Sequence, residues 1–125
     1  VLDIIKKMDA RVRYNTYDSI NIRQEKSFNQ ELIQALQFIE NDFYGIEVDL
    51  DAIPNIPSSG MTSSGFSIEE LRQFVSYFGK NKNAAYLHIC EGAPDLCYEK
   101  KNHLIGKLIG YLVTDFIKSN NSIED

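Results

Sequence analysis

Apolar positions along this chain fall into alternating helical and strand rhythms. Ser27 stands as an N-cap before Phe28, Leu32, Ile33, Leu36 and Ile39, an apolar stripe at helical spacing. The spacing predicts a helix over about 28–41, with that stripe facing a core. Phe43 to Val48 then reads as a buried strand. Residues 52–65 hold Pro54, Pro57, five serines or threonines and two glycines, and predict a loop. Ser67 and Glu70 form a capping box for a second helix with Leu71, Phe74, Val75 and Phe78 on one face and Gly79 as its stop. Lys80-Asn-Lys-Asn reads as a turn, and Ala84-Ala-Tyr-Leu-His-Ile-Cys as a second apolar strand ending at Glu91. A polar loop from Gly92 to Asn102 leads to a last helix from Leu104 to Ile117, with Leu108, Leu112 and Phe116 among its apolar positions. Residues 119–125 read as a frayed tail. Residues 1–26 alternate weakly from Ala10 to Asp18 and predict an extended arm or an edge strand.

Helices alternating with strands in this order define an α/β chain with a parallel sheet and crossover helices. Both strands are apolar along most of their length, which predicts burial on both faces. Two or three strands make a small sheet with exposed edges, so either self-association or further polypeptide must cover them. The chain is expected to be a segment of a longer protein.

Composition narrows the partners. The 125 residues suffice for one domain with a core. A net charge of −5 argues against a nucleic-acid backbone as partner. Residues 1–26 carry six Lys/Arg against four Asp/Glu, a mild asymmetry and not a basic arm. No apolar run approaches the ~20 residues that span a bilayer, and Val1 to Lys7 is too short and charged for a signal peptide. Cys90 and Cys97 form neither a disulfide framework nor a Cys-x-x-Cys site. They read as free thiols in a reducing cytoplasm, with Cys90 in the core.

The candidate chemistry begins at Asp49 and Asp51. Two carboxylates spaced i and i+2 at the end of a strand point to one face, and open α/β sheets bind ligands at that end. Hard oxygen donors suit Mn²⁺ or Mg²⁺; the plain alternative is a solvated strand end. Glu91 closes the second strand, where it is either a site carboxylate or a capped strand end. His88, inside an apolar strand, reads as a core histidine, with a third-ligand role as the alternative. Arg11 and Arg13 alternate on one face and read as surface residues, or as carboxylate binders. Ser58, Ser59, Thr62, Ser63 and Ser64 are candidates to line a substrate loop, without the elbow motif of a serine nucleophile. His103, beside two lysines, reads as solvated, and Tyr14, Tyr17, Tyr77, Tyr86 and Tyr111 as core or rim aromatics.

Two motifs in order carry a family resemblance. Val48-Asp-Leu-Asp-Ala-Ile-Pro54 is followed by Pro57-Ser-Ser-Gly-Met-Thr-Ser-Ser-Gly65 and a helix; then comes His88-Ile-Cys-Glu-Gly-Ala-Pro-Asp95. Over residues 28–118 this resembles the C-terminal portion of the ureohydrolase superfamily: arginase, agmatinase and formimidoylglutamase. The resemblance implies the C-terminal part of a three-layer α-β-α fold, a binuclear Mn²⁺ centre, cytoplasmic location and homo-oligomers. It implies that Asp49 and Asp51 are metal ligands and that Glu91 is the catalytic carboxylate facing the cationic nitrogen of an amidine or guanidino substrate. Proline after Ile53, in place of the third aspartate of many arginases, is closer to formimidoylglutamases. The implied activity is therefore hydrolysis of N-formimidoyl-L-glutamate to glutamate and formamide, in histidine breakdown. The departure lies upstream. Residues 1–42 contain neither the family's early histidine nor its Asp-x-His-x-Asp motif, so these residues alone are expected to bind metal weakly and to be inactive. The competing expectation is a non-catalytic α/β interaction module.

Overall fold

The computed structural model describes residues 4, 7, 8, 11–96 and 102–121. Its backbone falls into two compact units, residues 1–38 and residues 39–125.

In the first unit a π-helical turn at Asp18–Ile22 precedes α1, Phe28–Ile39. No strand forms among the described residues of 1–26, so the expected edge strand is absent there. The turn is held by its own backbone and by Ser19, whose hydroxyl donates to the Thr16 carbonyl at 2.8 Å. Along α1 the stripe is graded: Leu32 is buried, Phe28, Leu36 and Ile39 are half-buried, and Ile33 is exposed. Arg13 stacks over the Phe38 ring at 5.3 Å, which accounts for it as a surface cation on an aromatic face.

The second unit carries the sheet. Strands β1 (Tyr44–Asp49) and β2 (Ala84–Cys90) pair in parallel, Glu47 opposite His88 and Asp49 opposite Cys90. Helix α2 (Ile68–Gly79) connects them, and α3 (Asn102–Asn121) follows β2. The two helices pack on each other and on one face of the sheet. Ile46 and Val48 point into that layer, where Val75 and Phe78 of α2 and Leu108 and Leu112 of α3 are buried. Leu50 and Leu112 are 0% exposed and mark its centre. Arg72 of α2 grips Asp115 of α3 with two bonds, at 2.6 and 3.0 Å, and lies over the Tyr111 ring at 4.9 Å.

The other face of the sheet is open. Glu47, Asp49, Tyr86 and His88 are exposed, so the expected burial on both faces does not hold. The alternation, buried Ile46 and Val48 against exposed Glu47 and Asp49, is that of a sheet covered on one side. His88 is consequently not a core histidine; it pairs with Glu47 across the strands, both side chains more than half exposed. Cys90 is half-buried rather than core, its thiol 3.6 Å from the Val48 carbonyl. Cys97 lies outside the described residues.

Gly79 stops α2 as its position predicts, but not through a left-handed cap: it is the last residue of the helix. A Cβ there would lie 3.2 Å from Ser119 Cβ and 3.3 Å from Phe116 Cδ2, so its smallness serves the close approach of α3. Helix α3 continues to Asn121, four residues beyond the expected end at Ile117.

Candidate functional site

The carboxyl ends of both parallel strands lie side by side, and the residues after them form the candidate site. Asp49 ends β1. The chain then turns into a 3₁₀ helix, Leu50–Ala52, because the Asp49 side chain accepts the Asp51 N–H at 2.9 Å. Asp51 thus stands in a turn and not on the strand. The two carboxylates are neighbours through capping geometry, and not through strand alternation as the i, i+2 spacing predicted.

The loop over residues 53–66 returns to these strand ends. Phe66 N–H donates to the Ala52 carbonyl at 2.9 Å and Asn55 N–H to the Thr62 carbonyl at 2.8 Å, closing the loop on itself. Its tip then meets both strands. Gly60 N–H donates to Asp51 Oδ1 at 3.0 Å, and a Cβ at residue 60 would lie 2.7 Å from Asp51 Oδ2. Ser58 forms an isolated antiparallel bridge with Gly92, and Ala93 N–H donates to the Pro57 carbonyl at 3.0 Å. Ser59 Oγ lies 2.5 Å from Glu91 Oε2 and 3.5 Å from Asp51 Oδ2. The structure therefore brings Asp51 and Glu91 to one serine, with Asp49 beside them.

Electrostatics follow from these contacts. The nearby Ser58 hydroxyl and then the Gly60 N–H hold the Asp51 carboxyl below the ordinary carboxylate range. Ser58 Oγ acts by proximity, without the geometry of a full hydrogen bond: it is buried and has no hydrogen-bond partner among the described residues. The Gly60 bond is the firmer of the two. Cys90 behaves differently. Burial, then the carboxylates of Asp49 and Glu91, push its thiol upward, so it stays protonated and is a poor nucleophile. On the open face, hydrogen bonds from His88 and then Tyr86 lower the Glu47 carboxyl. The Tyr86 ring lies across Gly45, where an added Cβ would fall 2.1 Å from its Cζ.

Beside the carboxylates a cleft of about 460 Å³ opens between the end of β2 and α3, bordered by Leu50, Cys90, Glu91, Pro94, Ile105 and Ile109. Arg11 and Arg13 belong to the first unit, and His103 is exposed on α3. The donors at the strand ends are the carboxylates of Asp49, Asp51 and Glu91, with the buried Ser58 hydroxyl next to them, while the Cys90 thiol turns to the Val48 carbonyl. That chemistry fits a hard divalent cation. Among the described residues no group of three or more His, Cys, Asp or Glu side chains is arranged to hold a metal ion. In the sequence Ser59 is one of several loop serines and Gly60 carries no mark, because a Ser/Gly-rich loop gives no signal for which residue reaches a carboxylate.

These elements form an α/β chain with a two-stranded parallel sheet, and its fold is that of part of an arginase. Among solved structures, the arginase of Bacillus caldovelox matches with a TM-score of 0.69 over 95% of this chain, at 12% sequence identity. This chain spans 38% of the length of that arginase. No family model matches the sequence, and no curated protein matches it. No helix among the described residues is long and apolar enough to cross a membrane.

Proposed function

We propose that this chain is the C-terminal part of a manganese-dependent hydrolase of the ureohydrolase type, cleaving a C–N bond of a linear amidine. The observation that carries the proposal is the meeting of Asp51 and Glu91 at Ser59, at the carboxyl ends of two parallel strands in an arginase-like fold. Asp49 and Asp51 would hold the cation, and Glu91 would face the cationic nitrogen of the substrate. When bound, the metal supplies Lewis-acid activation of water and substrate. The residues of this chain do the rest. Gly60 and Ser58 keep Asp51 ionised, ready to coordinate without losing a proton first. The negative charge of Glu91 favours the amidinium form and steadies the positive charge that persists in the tetrahedral intermediate. On this proposal the remaining metal ligands come from polypeptide outside these 125 residues, and the working enzyme is a cytoplasmic homo-oligomer.

The proposed substrate is N-formimidoyl-L-glutamate, with arginine and agmatine as the alternatives. It rests on Asp49-Leu-Asp-Ala-Ile-Pro54, in which proline follows isoleucine directly.

The test begins with Mn²⁺ titration of this chain by electron paramagnetic resonance, with Asp49→Asn/Asp51→Asn as control. Weak binding that the double variant abolishes is expected. A complete, metal-loaded protein that turns over none of the three substrates would end the hydrolase reading. A second reading, a non-catalytic module that pairs through its sheet, draws on the open face bearing Glu47, Tyr86 and His88. It requires that Asp49→Asn change nothing but local stability.

A further inference from the structure

Asp51 and Glu91 follow different strands, and a single hydroxyl reaches both. Ser59 Oγ is 2.5 Å from Glu91 and 3.5 Å from Asp51. A hydroxyl has one proton to donate, and the distances assign it to Glu91. A short hydroxyl–carboxylate bond of this kind is charge-assisted and stronger than a neutral one. Glu91 needs such a hold. Its backbone sits at φ 64°, in the left-handed region, where a non-glycine residue persists only if its surroundings fix it. The backbone on either side is fixed by the Ser58–Gly92 bridge and by Ala93 N–H on Pro57. Among the described residues, Ser59 is the side chain that donates to that carboxylate.

We propose that Ser59 is a positioning residue: its hydroxyl orients the Glu91 carboxylate and ties it to the Asp51 loop, so that both strand ends present one fixed geometry to a cationic amidinium. The catalytic consequence rests on the function proposed above; the geometric claim does not. Ser59 is exposed, so its replacement leaves the core intact.

The experiment compares Ser59→Ala, Ser59→Thr and Ser59→Cys in the full chain at neutral pH. It reads the Glu91 side-chain ¹³Cδ resonance, its change on addition of acetamidinium chloride, and the thermal midpoint. Ser59→Ala is expected to move the resonance toward that of free glutamate and to weaken acetamidinium binding about fivefold, the effect of one lost hydrogen bond. Ser59→Thr, with the same hydroxyl, restores both; Ser59→Cys, which fills the space with a poor donor, does not. All three variants melt within a few degrees of the parent. An unmoved resonance in Ser59→Ala, or a threonine variant that fails to restore it, overturns the proposal. Neither readout needs metal or turnover. If the complete protein hydrolyses no amidine and the resonance still follows the hydroxyl, the hydrolase reading falls and the positioning role stands.

Discussion

At Glu91 two demands meet in one residue. The left-handed backbone, φ 64°, disfavours any side chain by about 1–2 kcal/mol, while the site needs a carboxylate. Glu91→Gly separates them. Relief of strain and the added freedom of glycine in the unfolded chain, each about 1 kcal/mol, oppose one another. The melting midpoint should therefore barely move, while acetamidinium binding is lost; calorimetry and titration on the same sample check this. Tyr44 gives a second prediction. Its hydroxyl donates to the Phe78 carbonyl at 2.8 Å, and burial, then Glu40, raise its phenol above the ordinary value. A raised acid favours the neutral form in the folded state. Its contribution is thus complete below the unfolded pKa of about 10 and lost as pH rises through the folded value. Tyr44→Phe should start about 1 kcal/mol less stable and lose less on going from pH 9 to 11; urea unfolding across that range gives the comparison.

Among the elements, the loop over residues 53–66 is the one that builds the site, and its closure depends on Gly65. A Cβ there would fall 2.2 Å from the Ala52 carbonyl oxygen, the acceptor of the Phe66 N–H. Backbone cannot swing aside as a side-chain tip can. Gly65→Ala should cost about 1–3 kcal/mol and loosen the Gly60 contact with Asp51; urea unfolding gives the first and the Gly60 amide resonance the second. The start of α2 was legible in the sequence for a local reason. Ser67 Oγ accepts the Glu70 N–H at 3.0 Å and Glu70 accepts the Ser67 N–H at 2.8 Å, a reciprocal pair within four residues. The β2 strand was legible too, over Ala84–Cys90 as read. The 3₁₀ turn at Leu50–Ala52 was not, because Asp-Leu-Asp reads equally as strand or turn until the Asp49 side chain is seen accepting the Asp51 N–H.

For the whole molecule the open sheet face is the main property. Two parallel strands with helices on one side leave Glu47, Asp49, Tyr86 and His88 in solvent, whereas parallel sheets are ordinarily covered on both faces. Among the described residues no third strand pairs with either edge. Self-association is the expected outcome at high concentration. Sedimentation velocity should show species heavier than 14.3 kDa, and a strictly monomeric chain would count against it. His88→Glu, opposite Glu47, would place like charges across β1 and β2 of one chain and should lower its stability by up to about 1 kcal/mol, read by urea unfolding.

What is local can be read from the residues alone: the capping box of α2, the helical stripes, the apolar run of β2, and the oxygen-donor character of Asp49, Asp51 and Glu91. What depends on partners distant in the chain emerges only on folding. An apolar run such as Ala84 to Cys90 does not say whether one face or two will be covered; the run alone puts His88 in the core, whereas it stands exposed beside Glu47. The spacing of the aspartates did not say that a turn would intervene. That a serine eight residues after Asp51 and thirty-two before Glu91 joins them follows only from parallel strands ending side by side, with a loop folded back across their ends.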